Sequence, residues 1–169
     1  LAGAQEWWNE DWQFRKEIIV DAGATGAGLT ATQVQFPLLV GFSIGNFAYF
    51  PEVNADGSDL RFVGADGVTP LDYHVEMFDP ETMIALVWVE VPAVSAGQSQ
   101  TLYMYFGNDE APAAGDPAAT YDTDQVLVYH FDEGLSSTDS TAYGNTPRID
   151  AQPDPASKIG RGLRFEGAG

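Results

Sequence analysis

Cysteine is absent from this chain of 169 residues. Disulfide bridges therefore cannot stabilise the fold, and thiol chemistry is excluded. Basic residues are scarce: seven Lys and Arg residues stand against 25 Asp and Glu residues, which gives a formal net charge of -18. A negative field of this size repels phosphate backbones and anionic membrane surfaces, which excludes a nucleic-acid partner.

Long apolar runs are missing as well. The longest, at residues 83–89, is far shorter than the roughly 20 residues that a membrane helix needs, so no membrane span is expected in this segment. The chain starts at Leu1, and the AGA sequence at 2–4 has the small-x-small form of a signal-peptidase site. We expect an exported protein, with an ordinary alanine-glycine leader as the alternative interpretation.

Apolar residues recur with a period of two, as they do in half-buried β-strands. The stretch 34–42, VQFPLLVGF, puts five apolar side chains on one face: Val34, Phe36, Leu38, Val40 and Phe42. The stretch 14–20, FRKEIIV, groups three of them: Phe14, Ile18 and Val20. In the stretch 71–78, LDYHVEMF, the apolar face holds Leu71, Tyr73, Val75 and Met77. Each stretch is predicted to form a strand with one buried face.

Three further stretches complete the prediction of an all-β fold. Residues 83–91, MIALVWVEV, are apolar on both faces as far as Glu90, which favours a central strand covered on each side. Residues 101–107 and 125–131 are rich in the aromatic and branched side chains that are frequent in strands. Turn dipeptides separate the stretches at intervals of roughly ten residues, a spacing typical of sandwiches. We therefore predict an antiparallel, jelly-roll-like β-sandwich.

A linker is predicted at residues 110–120, because two prolines and a glycine interrupt the alanines of EAPAAGDPAA. This divides the chain into a β-sandwich domain at 5–109 and a second unit at 121–169. A unit as small as the second one cannot bury enough apolar surface to stand alone. It therefore either begins a longer domain or packs against the first unit.

Tryptophans are concentrated near the start, at Trp7, Trp8 and Trp12. Burial of an indole stabilises a fold by about 1.5–3 kcal/mol and asks for a partner at its N–H, so these residues suit an aromatic cluster that fixes the N-terminal segment to the sandwich. In an extended chain Trp7 and Trp8 point to opposite faces, which leaves at least one indole exposed. The alternative role for Trp7, Trp8 and Trp12 is ligand binding, with an exposed indole as a stacking platform for a sugar.

Six motifs in a fixed order resemble an uncharacterised β-domain of bacterial surface and envelope proteins, over residues 7 to about 108. They are the W-x-x-x-W-x-F-R-K start at 8–16 and then FPLLV, ADGSDLRFV, TPLDYHVE, ALVWVEVP and YMYFGN. The resemblance implies a protein exported to the periplasm or the cell surface of a bacterium. Some members of that family are fused to a proton channel of the MotA/TolQ/ExbB kind, which implies a periplasmic ectodomain of an energy-coupling complex as a second interpretation.

The C-terminal stretches VLVYHFDEG, DSTAYGN and KIGRGLRFEG resemble the opening of a LamG-like, concanavalin A-type sandwich. Such domains sometimes bind calcium, which takes six to eight oxygen ligands from flexible loops. The resemblance implies a calcium site with four candidate ligands: Asp132, Asp139, Ser140 and Asn145. Tyr143 stands where that family usually has a small residue, and an Asp-Ser-Thr sequence also forms an Asx turn, which is the structural alternative.

Patterns that indicate catalysis are few. Asp72 and Glu76 flank His74 on the polar face of a predicted strand, and we interpret that face as solvated. His130 has no second histidine at a metal-ligand spacing, so a catalytic zinc is not expected. No G-x-S-x-G motif supports a serine nucleophile. A glycosidase with two paired carboxylates ranks third among the interpretations.

Together these observations predict a non-catalytic, exported binding or assembly module of a bacterial envelope or surface protein. The expected partner is a glycan or another envelope protein, and calcium is the one candidate cofactor.

Overall fold

The computed structural model describes residues 7–131, 138–146, 151–154 and 161–166. Within these residues it contains nine strands and two short helical turns. The strands are β1 (Phe14–Asp21), β2 (Gln33–Ser43), β3 (Arg61–Val63), β4 (Pro70–Leu71), β5 (Tyr73–Asp79), β6 (Ile84–Val94), β7 (Ser99–Phe106), β8 (Gln152–Asp154) and β9 (Gly162–Arg164). The helical turns are a 3-10 turn (Phe50–Glu52) and α1 (Pro117–Thr120).

Two antiparallel sheets face each other across one core, which confirms the predicted β-sandwich. Sheet A has the strand order β1-β7-β3-β4, and sheet B has the order β2-β6-β5. The central position of β6 agrees with its apolar residues on both faces. Strands β8 and β9 form a separate hairpin. In the described residues, no helix has both the length and the apolar character needed to cross a membrane.

The core lies between the sheets and is built from alternate residues of both. Sheet A contributes buried side chains from three strands: Phe62, Leu71, Leu102, Met104 and Phe106. Sheet B contributes Val40, Phe42, Tyr73, Ala85, Val87, Val89, Val91 and Val94. Phe14, Ile18 and Val20 of β1 pack against this core, as their spacing predicts.

The prediction of one buried face along the whole of β2 is wrong at its first half. Val34 is 67% exposed and Phe36 is 39% exposed, whereas Val40 and Phe42 are buried. Gln35 has a φ of 46°, outside the range of strands, and the pairing with β6 steps over it. The regular alternation therefore starts only beyond this irregularity.

The predicted inner position of Met77 is also wrong, because β5 contains a bulge. Pairing with β6 steps from Val75 opposite Val87 to Met77 opposite Leu86, which leaves Glu76 as the extra residue. A bulge of one residue changes which side chains face the core. Phe78 instead of Met77 packs against the core after the bulge.

Residues 125–131 do not form the predicted strand. Side chains from residues 138–146 satisfy part of their backbone instead of a neighbouring strand. The Asp139 carboxylate accepts the Val128 N–H at 3.0 Å, and the Asn145 amide donates to the Val126 carbonyl at 2.8 Å. Residues 125–131 therefore have the composition of a strand, but the loop at residues 138–146 takes the place of a partner strand.

The predicted linker at 110–120 contacts the sandwich at several points. The Asp116 N–H donates to the Tyr73 carbonyl at 2.8 Å, and the Arg61 guanidinium donates to the Pro112 carbonyl at 2.7 Å. Thr120, at the end of α1, is fully buried. The domain boundary near residue 120 stays a prediction, and the residues that follow it pack on sheet B.

Candidate functional site

The three N-terminal tryptophans pack on the outer face of sheet A. Trp12 is buried together with Val63, Tyr105 and Ala111, and Trp8 packs against the same group. Residues 7–12 do not form a strand, so the extended geometry that would send neighbouring indoles to opposite faces is not present, although one indole, Trp7, is exposed. Both rings contact Tyr105, with centroid distances of 5.3 Å for Trp7 and 5.6 Å for Trp8.

Hydrogen bonds fix this segment in place. The Trp12 indole N–H donates to the Asp59 carbonyl at 2.6 Å, and the Trp7 indole N–H donates to the Trp12 carbonyl at 2.9 Å. The Trp8 backbone N–H donates to the Tyr105 hydroxyl at 3.2 Å. These contacts give the indoles the structural role that the sequence predicted. Of the three tryptophans, only Trp7 is exposed, at 40%.

Arg15 of β1 lies beside the exposed indole. Its guanidinium carbon is 5.2 Å from the centroid of the Trp7 ring and 4.8 Å from that of Tyr103, and its Nη1 donates to the Tyr105 hydroxyl at 3.3 Å. Contacts of this length are cation–π interactions. We call the surface formed by Trp7, Arg15 and Tyr103 the indole platform.

The structure brings together part of the predicted calcium site. Asp139 is buried, and both of its carboxylate oxygens accept hydrogen bonds, from the N–H groups of Val128, Thr141 and Asn145 among others. Burial alone would raise the pKa of Asp139, but these backbone hydrogen bonds outweigh it and lower the pKa to about 2. This is the geometry of the Asx turn that the sequence offered as the structural alternative.

Two further predicted calcium ligands lie nearby. The Ser140 N–H donates to the Val128 carbonyl at 2.9 Å, and the Asn145 side-chain amide donates to Asp139 at 3.1 Å. Asp132 lies outside the described residues. Among the described residues, no three His, Asp or Glu side chains are grouped as metal ligands. Calcium binding therefore stays a prediction.

A second group of functional side chains lies on the outer face of sheet B. We call it the polar cluster, and its members are His74, Glu76, Trp88, Tyr121 and His130. The first two belong to β5, and Trp88 of β6 is directly opposite His74 in the register of the sheet. Tyr121 and His130 come from the segment after α1, which folds back over these strands. The two histidine rings are the only ones in the sequence, and their centroids are 4.8 Å apart.

Hydrogen bonds connect the polar cluster into a row. One carboxylate oxygen of Glu76 lies 2.6 Å from the Trp88 indole nitrogen and 3.0 Å from Nδ1 of His130. The Tyr121 hydroxyl lies 3.0 Å from Nε2 of His130 and 3.4 Å from Nδ1 of His74. The order along the row is therefore Glu76, His130, Tyr121 and His74.

Burial, hydrogen bonds and nearby charge together set the pKa values of Glu76 and Tyr121 in this row. Burial alone would raise the pKa of Glu76, but the hydrogen bonds from His130 and Trp88 outweigh it, so the pKa lies below its usual value. Burial, together with the nearby Glu76 carboxylate, raises the pKa of Tyr121 well above its usual value. Glu76 is therefore an anion near neutral pH, and Tyr121 keeps its proton.

The interpretation of this strand face as solvated is wrong. Asp72 is exposed, but Glu76 is buried and His74 is partly buried. The reason is that the segment after α1 covers the face. The apolar residues on both faces of β6 signalled this cover, yet nothing local in the sequence showed that His130 would be part of it.

A cavity of about 180 Å³ adjoins the polar cluster at His74. Its walls come from the turn before β3, the start of β5 and the segment before α1, with Asp56, Ser58, Val75, Gly115 and Pro117 among the lining residues. Typical small-molecule sites have about 300–1,000 Å³, so this cavity is small for a ligand site.

Comparison with known proteins gives one finding. Residues 56–146 match the family described as Domain of unknown function (DUF2341). That range starts later and ends later than the resemblance at 7–108 predicted; it includes the whole polar cluster and leaves out Trp7, Trp8 and Trp12. No curated protein and no solved structure matches. Because the match covers more than half of the chain, this β-sandwich protein belongs to the DUF2341 family.

Proposed function

We propose that this chain is a non-catalytic binding module of a bacterial envelope or surface protein, and that it binds a glycan on the indole platform. The observation that carries this proposal is the exposure of Trp7: the residue is 40% exposed, whereas Trp12 and Tyr105 in the same aromatic cluster are buried. Large apolar side chains that belong to a buried cluster are normally buried themselves, so the exposure of Trp7 calls for an explanation.

The ring of Trp7 is held in position before any ligand arrives. Its N–H is already bonded to the Trp12 carbonyl, and its edge-to-face contact with Tyr105 has an interplanar angle of 86°. A fixed ring loses little conformational entropy when a ligand stacks on it, which favours binding. Because the indole N–H of Trp7 already donates to the Trp12 carbonyl, a ligand can contact this ring mainly through its π face.

Arg15 adds polar recognition to this surface. A guanidinium carries five N–H donors in a planar fork, whereas the contact with Tyr105 uses one nitrogen. Sugar hydroxyls and carboxylates accept such donors. The platform therefore combines a stacking ring with directional hydrogen bonds, the composition expected of a specific binding site.

The experiment measures retention of the whole chain on insoluble glycans, with peptidoglycan, cellulose, chitin and xylan as the probes. We expect retention on at least one of them, and a loss of at least about tenfold in affinity for Trp7→Ala, which corresponds to about 1.4 kcal/mol. The matched control is Ile19→Ala, since Ile19 is 67% exposed on the same strand as Arg15.

Thermal unfolding of both variants shows whether the fold is intact. A native chain that none of the four glycans retains, or a folded Trp7→Ala variant that binds as well as the native chain, contradicts the proposal. The LamG-like second unit, the calcium site and the coupling to a MotA/TolQ/ExbB-type proton channel stay predictions that rest on the resemblance, and export stays a prediction that rests on the resemblance and on the AGA sequence at 2–4.

A further inference from the structure

A larger cavity, of about 430 Å³, lies where the turn between β3 and β4 meets the end of β6 and the start of β7. We call it the sheet-end cavity. Its floor consists of buried core side chains from both sheets, Leu71 and Leu102 of sheet A and Val91 of sheet B. Pro92 and Ala93 form one side of its exposed rim, and the β3–β4 turn forms the other. Its volume lies in the range of about 300–1,000 Å³ that is typical of small-molecule sites.

The register of the strands creates this space. Strand β5 pairs with β6 only as far as Val89, although β6 continues to Val94. Strand β3 pairs with β7 only from Tyr103 onward, although β7 begins at Ser99. The two longer strands therefore extend past their neighbours at the same end of the sandwich, and the cavity lies beside these extensions.

Gln100 connects the two walls of the sheet-end cavity. Its Nε2 donates to the Ala93 carbonyl at 2.8 Å, and its Oε1 accepts the Ser95 N–H at 3.2 Å. These bonds join β7 of sheet A to the end of β6 in sheet B and leave one amide hydrogen for a ligand. Because the walls are held in position beforehand, a ligand loses less conformational entropy in ordering them.

Exposed apolar surface continues from this cavity onto β2. Phe36 is directly opposite Val91, and Val34 is directly opposite Ala93. Side chains of directly opposite residues lie on the same face of a sheet. Phe36 and Val34 are 39% and 67% exposed, and adjoining exposed apolar side chains are typical of binding sites. A ligand of this cavity is therefore expected to have an apolar body.

The polar groups of the lining offer mainly hydrogen-bond acceptors. The Asp66 carboxylate carries no hydrogen, and Pro92 has a carbonyl but no N–H. The hydroxyl of Thr69 already donates to Asp66 at 2.5 Å, and that of Thr101 donates to Glu17 at 3.3 Å. The polar part of a matching ligand must therefore supply donors.

Asp66 also places a negative charge at the rim. Its carboxylate accepts the Thr69 hydroxyl and the N–H groups of Val68 and Thr69, and the hydrogen bonds from Thr69 lower its pKa. The group is therefore ionised near neutral pH. A carboxylate has about four acceptor sites, so Asp66 can still accept a hydrogen bond from a ligand. The net charge of -18 adds a long-range attraction for cations.

We propose that the sheet-end cavity binds a small organic cation, with an apolar body over Leu71, Val91 and Leu102 and a protonated amine at the Asp66 carboxylate. A protonated amine has three donors and no acceptor, which matches the lining. The cavity shares no residue with the indole platform, so this second site does not rest on glycan binding.

Isothermal titration calorimetry of the full chain tests this inference with three probes that share one ring system: naphthylethylamine, naphthylethanol and naphthylacetate. We expect the amine to bind more tightly than the alcohol and at least about tenfold more tightly than the acetate. Its heat-capacity change should be negative, because binding buries apolar surface. An amine that does not bind, or that binds no more tightly than the other two probes, overturns the proposal.

Methyl signals in nuclear magnetic resonance spectra of the native chain locate the bound ring. We expect the amine to shift the signals of Leu71, Val91 and Leu102. The control is Ile84, which is 41% exposed at the opposite end of β6 and should not shift. Equal shifts at Ile84 would reveal unspecific attachment to apolar surface and would also overturn the proposal.

Two matched variants test the charge. Asp66→Asn should reduce the preference for amine over acetate by at least about threefold, the size of an exposed ion pair. Asp79→Asn is the control and should leave the preference unchanged. Asp79 accepts the same kinds of hydrogen bond in another turn, from the N–H groups of Glu81 and Thr82 and from the Thr82 hydroxyl, but it does not line the cavity.

Both variants lose one negative charge, so a general attraction of cations to the acidic chain would affect them equally. Equal losses of preference, or full preference in a folded Asp66→Asn variant, contradict the proposed role of Asp66. If Asp66→Asn does not fold, the three probes and the methyl shifts of the native chain decide.

Discussion

Asp59 connects three parts of the chain at one end of the sandwich. It is fully buried, and its carboxylate accepts the N–H groups of Asn54 at 2.9 Å, Gly107 at 2.6 Å and Asn108 at 3.3 Å. Its backbone carbonyl accepts the Trp12 indole N–H. The N-terminal segment, the loop before β3 and the end of β7 therefore meet at a single residue.

Replacement of this carboxylate is expected to be costly. Asp59→Ala leaves three N–H groups without their acceptor, and each unsatisfied buried donor costs about 1–3 kcal/mol, so the free energy of unfolding should fall by at least about 3 kcal/mol. Urea denaturation measures this change. The matched control is the exposed Asp109→Ala, which should stay within about 0.5 kcal/mol of the native chain. Similar losses in both variants would contradict the role given to Asp59.

The end of β7 depends on a glycine for its geometry. Gly107 has a φ of +85°, and a Cβ atom at this position would lie 2.5 Å from a ring carbon of Phe14 on the neighbouring strand β1. Gly97, in the turn before β7, has a φ of +68°, but a Cβ atom added there would have no contact within 4 Å among the residues that the structure describes. The two glycines therefore share the left-handed backbone and differ in the space around them.

Alanine at the two positions separates these effects. Gly97→Ala is expected to cost only the left-handed conformation, about 1–2 kcal/mol. Gly107→Ala adds overpacking against Phe14, for a total of about 2–5 kcal/mol. Urea denaturation of both variants measures the difference, and equal losses would show that Phe14 moves aside without cost.

Across the whole molecule, self-repulsion opposes folding. The whole chain has a net charge of -18, and like charges destabilise a compact state more than an expanded one. Salt weakens this repulsion, because the Debye length falls from about 30 Å at 0.01 M to about 8 Å at 0.15 M.

We therefore expect the melting temperature to rise by several degrees between about 0.01 and 0.15 M sodium chloride. Differential scanning calorimetry at pH 7 measures it. Potassium chloride is the control and should give the same rise, because screening depends on ionic strength and not on the cation. A melting temperature that stays constant or falls with salt would contradict this explanation.

Much of the fold could be predicted from the residues alone. The alternation of Phe14, Ile18 and Val20 and the two apolar faces of β6 gave their strands correctly, because side-chain period reports burial directly. The errors arise where the backbone departs from regular pairing: at Gln35, at the bulge around Glu76, and in residues 125–131. These irregularities leave the alternation of apolar and polar residues unchanged, so that alternation could not predict them.

The candidate sites divide in the same way. The indole cluster could be predicted, since Trp7, Trp8 and Trp12 are neighbours in sequence and their size favours burial. The polar cluster could not, because His74 and His130 are 56 positions apart and meet only when the segment after α1 folds over sheet B.

Composition excludes disulfide bridges and sets the net charge of -18, and side-chain period indicates the antiparallel sandwich, because both can be read from neighbouring residues. Which polar groups are buried together depends instead on how distant segments pack. A buried row such as Glu76, His130 and Tyr121 depends on distances between distant segments, and hydrogen bonds form only when those distances fall within about 3.5 Å.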